Sequence, residues 1–183
     1  MRLVSLLVSF ALLLLLLLSS ASANETEKLP EHDKMYKFAN LSLSEKKQIE
    51  CIATGIYHEA KGEPEKGQIA VGKVILNRVN YGFESTPCKV VYQSNIVTKF
   101  DDNGEMKKVK ICQFSWSCFK QKAIDVFDPA YIMAERIAFE VFMGMHHGML
   151  PHNVLFFHSV TVNPGWRYKK HGKIGGNVFY AKN

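Results

Sequence analysis

Glu59 is the side chain in this sequence best placed to move a proton. It stands in Ile56-Tyr57-His58-Glu59-Ala60-Lys61-Gly62, where Ile49, Ile52, Ala53, Ile56 and Ala60 recur at helical spacing. A helix turns about 100° per residue, so these five residues make one apolar stripe, and Glu59 falls about 75° from its centre. Tyr57 falls at the opposite border. A carboxyl group at such an edge can line a cleft while partly desolvated, and desolvation disfavours the charged form. A carboxyl pKa raised toward neutrality is what a general acid needs. The same pattern also fits a solvated Glu beside Lys61 and Lys66, and periodicity leaves both readings open.

The other reactive side chains give weaker patterns. Glu63 and Glu65 flank Pro64 at a helix start, where a solvated or dipole-capping role is expected. Asp101 and Asp102 belong to the turn Asp101-Asp102-Asn103-Gly104, and no full calcium-loop pattern follows. His146-His147 follows Gly144 and reads as a solvated helix end. With His152 and His158 nearby there is still no H-E-x-x-H pair, so no metal site is expected. Cys51, Cys88, Cys112 and Cys118 contain no C-x-x-C pair. An even count in an exported chain reads as two disulfides, and three pairings stand open.

The elements that must position these groups are partly legible. Ser42 with Glu45 forms a capping box and starts the helix that carries Glu59. Gly62 ends it. Pro64 opens a second helix with Val71, Val74, Ile75 and Leu76 on its core face. Gly67 and Gly72 in that helix imply close packing. Lys89 to Tyr92 is a short apolar piece of uncertain type. Ile96 to Phe100 and Met106 to Ile111 read as two strands around the acidic turn. Asp128-Pro129 starts another helix, with Met133, Ile137 and Val141 on its buried face, and Gly144 stops it. Val154 to His158 and Asn177 to Tyr180 suit strands. The expectation is an α+β domain, mainly α, with small β elements late in the chain.

The chain has 183 residues, 47% hydrophobic and 22% charged, which excludes collagen-like, low-complexity and wholly disordered classes. Arg2, an apolar block from Val4 to Leu18 and Ala21-Ser22-Ala23 form the three-part layout of a cleaved secretory leader over residues 1–23. An uncleaved anchor is the rival, though the block is short for a span. Residues 24–41 read as a polar arm and 42–183 as the functional domain. The formal charge of +6 implies attraction to anionic surfaces or solubility alone. The short Lys clusters at 107–110 and 169–170 lack the aromatic interleaving of a nucleic-acid binder.

Ile56 to Pro64, with Tyr57, Glu59, Ala60, Lys61 and Gly62, resembles the opening of the SleB/CwlJ-type cell wall hydrolase domain. Gly67 to Val71, Val74 to Val79, Cys88 to Gln93 and Gln113-Phe114-Ser115-Trp116 continue the resemblance. Phe157-His158, Val162 to Trp166, Lys173-Ile174-Gly175 and Val178-Phe179-Tyr180 complete it, in the family's order. The resemblance implies a lysozyme-like fold acting on peptidoglycan, cut between N-acetylmuramic acid and N-acetylglucosamine by lytic transglycosylation. It makes Glu59 the catalytic acid. It implies no cofactor, peptidoglycan glycan strands as partner, and no nucleic acid. Membrane contact would come only through an uncleaved leader. We expect a monomer exported to the periplasm, the envelope or the medium.

Departures from the family are visible. Residues 94–111 read as an inserted hairpin near the cleft. Asn177 stands where the family often has His. By the same resemblance Cys88 pairs with Cys118, and subtraction leaves Cys51 with Cys112.

Glycoside cleavage usually takes two carboxylates, and no clear second one is present. A lytic transglycosylase needs one. For sugar contacts the candidates are Gln113, Ser115 and Trp116, then Tyr57, His158, Trp166 and Tyr180. Each has a plainer reading: core packing for Trp116 and Trp166, a loop hydrogen bond for Gln113 and Ser115, and a structural histidine for His158. Asn77 and Arg78 read as helix-end or ion-pair structure. A hydrolytic muramidase, a peptidoglycan amidase and a non-catalytic wall-binding or lysis-accessory protein are the alternatives.

Overall fold

In the computed structural model, which describes residues 30–182, five helices and five strands follow one another. The helices are α1 (Glu31–Ala39), α2 (Leu43–Ala60), α3 (Glu65–Asn80), α4 (Pro87–Val91) and α5 (Pro129–Phe142). The strands are β1 (Ser94–Phe100), β2 (Met106–Cys112), β3 (Val154–Ser159), β4 (Lys169–Ile174) and β5 (Asn177–Ala181), with a 3-10 turn at Ser115–Cys118. The leader expected over residues 1–23 lies outside the described residues. No helix among them is long and apolar enough to cross a membrane.

The helix starts follow from local chemistry. The Ser42 hydroxyl accepts from the Glu45 N–H at 3.2 Å, and the Glu45 carboxylate accepts from the Ser42 N–H at 2.8 Å. This capping box satisfies two donors that a helix start otherwise leaves open. Thr86 caps α4 and Asp128 caps α5, each with Pro at the first turn. The uncertain piece at Lys89–Tyr92 is thus a helix end.

α2 lies at the centre and packs on α3, α4 and α5. Ile52, Ala53 and Ile56 are wholly buried there, with Val71, Val74, Ile75, Ile137 and Val141 from its neighbours. Small residues permit the close approach. A Cβ on Gly72 would stand 3.0 Å from Ile56 Cδ1, and one on Gly55 would stand 2.8 Å from Ile75 Cδ1.

β1 and β2 form the antiparallel hairpin that the sequence predicts, Ser94 facing Cys112 and Phe100 facing Met106. The Asp101 carboxylate accepts from the Asn103 and Glu105 N–H groups, and Gly104 takes φ +79°. The second sheet has the order β3-β5-β4, antiparallel throughout. β5 runs down its middle. β4 was not expected. Its sequence, Lys-Lys-His-Gly-Lys-Ile, has one strong apolar residue. As an edge strand it is held by backbone pairing to β5, and its lysines blunt the open edge.

Two expectations are corrected. The polar arm is not a loose tether over Glu31–Ala39. That stretch is α1, where Lys34 reaches the buried Glu140 at 2.7 Å and Phe38 meets Phe139 edge-on. The pairings Cys88–Cys118 and Cys51–Cys112 are also wrong. The bonds are Cys51–Cys88 and Cys112–Cys118. Cys51 sits on the buried face of α2 against α4, with Cα atoms 5.1 Å apart. The 3-10 turn folds Cys118 back on the end of β2, with Cα atoms 5.6 Å apart.

Candidate active site

Glu59 occupies the last turn of α2 and is half-buried, as its edge position on the apolar stripe requires. Burial pushes its carboxyl pKa up. The Trp116 indole and then the Arg78 charge pull it back in part. Trp116 Nε1 is buried and meets no acceptor at hydrogen-bonding geometry, so its effect on Glu59 is that of a nearby oriented dipole.

Arg78 ends α3. Its Nε donates to the Leu155 carbonyl at 2.8 Å, while the buried Nη1 has no partner among the described residues. Its guanidinium lies 5.1 Å from the Phe114 ring centroid and 5.8 Å from that of Phe83. Burial pushes its pKa down to about 10 while the Glu59 charge raises it, so Arg78 stays cationic at neutral pH. Asn77, one residue earlier, donates to the Pro151 and Val154 carbonyls. The helix-end reading of this pair was too narrow, because both residues fasten α3 to β3.

This arrangement suits one group that both gives and takes a proton. Desolvation favours the neutral acid. Once the proton has left, a buried guanidinium and an indole N–H stabilise the carboxylate.

Trp116 is held from three sides. It stacks on His58, with centroids 4.2 Å apart and planes at 24°, and it meets Tyr92 edge-on at 6.0 Å. The Cys112–Cys118 bond and a hydrogen bond from Gln121 to the Trp116 carbonyl hold its turn. Gln113 and Ser115 stand exposed beside it.

His158, Trp166 and Tyr180 form a second group, on the sheet. The Ser159 carbonyl can only accept, so His158 Nδ1 carries the proton at 2.8 Å from it. Nε2 shares a hydrogen bond with the Tyr180 hydroxyl at 3.0 Å. The His158 and Tyr180 rings stack, and Trp166 closes on both edge-on at 5.4 and 5.7 Å. Phe156 and Tyr168 extend this platform, stacked at 4.2 Å. The sequence held a signal for Phe156, since it alternates with His158 along one strand face. Phe83, under the Arg78 guanidinium, lies 6.0 Å from Phe156 and links the two groups.

Tyr57 reaches the first group only through His58, which it meets edge-on at 5.4 Å. Its hydroxyl donates to the Asp128 carboxylate at 2.7 Å and ties α2 to the cap of α5.

Sequence reasoning missed Glu63. Its carboxylate has a structural partner: it accepts from the Gly176 N–H at 2.5 Å. A Cβ on Gly176 would stand 2.6 Å from Glu63 Oε1, and Gly175 takes φ +59° in the same turn. Glu63 thus pins the β4–β5 turn to the segment that follows the Glu59 helix. The two adjacent glycines were the only sign of it.

A family model described as Cell Wall Hydrolase matches residues 62–180, starting just after Glu59. A spore cortex-lytic enzyme of Oceanobacillus iheyensis is 42% identical over 55 residues, which cover 30% of this chain and 20% of that protein. One of Bacillus cereus is 40% identical over 55 residues, covering 30% of this chain and 21% of that protein. The shared segment is about a fifth of the length of these curated relatives. No solved structure matches. On the family match, which spans more than half of its residues, the chain belongs to the Cell Wall Hydrolase family.

Proposed function

We propose that this protein is a peptidoglycan-cleaving enzyme, exported to the cell envelope, and that Glu59 is its single acid/base. The observation that carries this reading is the surroundings of Glu59 at the end of α2. There a desolvated carboxyl group stands beside a buried cation and a buried indole donor. A lysozyme-like arrangement, with the acid at a helix end beside a small sheet, is part of the proposal. So are a leader over residues 1–23 and a monomeric state. The sheet platform of His158, Trp166 and Tyr180, with Trp116 across from it in the chain of contacts, offers flat faces for sugar rings.

In the proposed reaction Glu59 gives its proton to the glycosidic oxygen between N-acetylmuramic acid and N-acetylglucosamine. The C1–O bond breaks and C1 becomes oxocarbenium-like. The 6-hydroxyl of the same muramic residue attacks C1, and its proton passes to the Glu59 carboxylate. A 1,6-anhydro ring forms, the acid is regenerated and no water is consumed. Assigning both roles to Glu59 is supported by the engagement of the neighbouring acid, since Glu63 is held by Gly176.

Mass spectrometry of soluble products from purified peptidoglycan tests this, with the chain and Glu59→Gln in parallel. The expected result is 1,6-anhydro-muramic ends from the unmodified chain and at least about a hundredfold less product from the variant. Ordinary reducing ends would assign hydrolysis. Full activity in Glu59→Gln would remove Glu59 from the mechanism. Binding without products from either would indicate a wall-binding protein.

A further inference from the structure

Trp116 also lines a recess of about 430 Å³, and Glu59 is not among its walls. Glu50, Thr54 and His58, one turn apart along α2, form one wall. Tyr131 of α5, Tyr92 and Lys122 contribute the others. The size is that of a ligand pocket rather than a packing void. Its lining mixes flat rings with hydroxyls and charges of both signs. At the α2–α5 end Glu50, itself paired with Lys47 at 3.0 Å, adds to the burial that pushes the Glu135 carboxyl up, so two carboxyl groups stand near one another there. Lys122 supplies the positive charge.

We propose that this recess takes the short peptide that hangs from the glycan strand, with the side-chain amine of its diamino acid directed to Glu50. The inference rests on the proposed function. Trp116 lines this recess and also acts on the Glu59 carboxyl group, so a sugar seated at Glu59 would carry its substituent to the same indole. A wall stem peptide offers what the lining complements: amides for the Thr54 and Tyr131 hydroxyls, carboxylates for Lys122 and an ammonium group for Glu50.

The test compares peptide-bearing glycan strands with the same strands stripped of their peptides by an amidase. The full chain and Glu50→Lys are assayed on both. Glu50 is exposed on α2, paired with Lys47 at 3.0 Å, so its replacement does not threaten folding. We expect kcat/KM about tenfold higher on peptide-bearing strands, the worth of one charge-assisted contact. That preference falls to about threefold or less in Glu50→Lys. Acetylating the peptide's amine has the same effect on the unmodified chain. Equal rates on the two polymers, or a preference that Glu50→Lys leaves unmoved, overturn the inference. If neither polymer is cut, the proposed activity fails. Titration with a synthetic stem tetrapeptide, followed at the Trp116 indole N–H by NMR, then decides the recess alone. A shifted indole supports it, and an unmoved one overturns it.

Discussion

The burial of Glu59 costs the fold some stability at neutral pH. Its pKa is raised on folding, chiefly by burial. The sign follows from linkage. Whatever stability it contributes is fully present below the ordinary glutamate range and is lost as pH rises through the folded value. Glu59→Gln should therefore melt higher than the unmodified chain at neutral pH. Calorimetry at two pH values reads it: the difference closes below about pH 4, where both states hold a protonated acid. Activity should fall on the alkaline side as the same group deprotonates. A melting difference that persists at low pH would mean packing, not charge, separates the two proteins. Glu59 was legible because its place relative to the stripe is a matter of helical period. Arg78 was not, because nothing in the sequence shows that a helix-end cation will be buried over Phe114 and Phe83.

The two disulfides do different jobs at the level of elements. Cys51–Cys88 spans 37 residues and staples α4 to α2, whereas Cys112–Cys118 spans 6. By loop-closure entropy the long link contributes about 4 kcal/mol and the short one about 2 kcal/mol. Denaturant unfolding of Cys51→Ser/Cys88→Ser should show the larger loss. Cys112→Ser/Cys118→Ser should lose less stability but more activity, because its bond fixes the turn that carries Trp116. Glu63→Ala should cost about 1–3 kcal/mol by leaving the Gly176 N–H without its carboxylate. Glu63→Gln, which keeps an acceptor, should recover most of that in the same melts. The helices α2, α3 and α5 were readable, since their caps and stripes are local. The cysteine pairing, α1 and β4 were not. Each is fixed by a contact across the fold: Cys51 with α4, Lys34 with Glu140, and β4 with the backbone of β5.

The whole chain carries a formal +6, and its hairpin displays Lys99, Lys107, Lys108 and Lys110. Such charges act on approach to an anionic polymer rather than on bond breaking. Raising salt from about 0.05 M to about 0.5 M should therefore raise KM on intact walls severalfold and leave kcat nearly level. A fall in kcat alone would place the effect at Glu59 and Arg78.

The short bond between Cys112 and Cys118 has a consequence in time. Until both thiols are oxidised, the turn bearing Trp116 is held by ring contacts with His58 and Tyr92 and by the Gln121 hydrogen bond. In a reducing compartment the chain would lack this disulfide as well as the Cys51–Cys88 staple between α2 and α4. If the proposed export and cleavage hold, oxidation outside the cytosol would complete it, and the finished site would arise only where its proposed substrate lies.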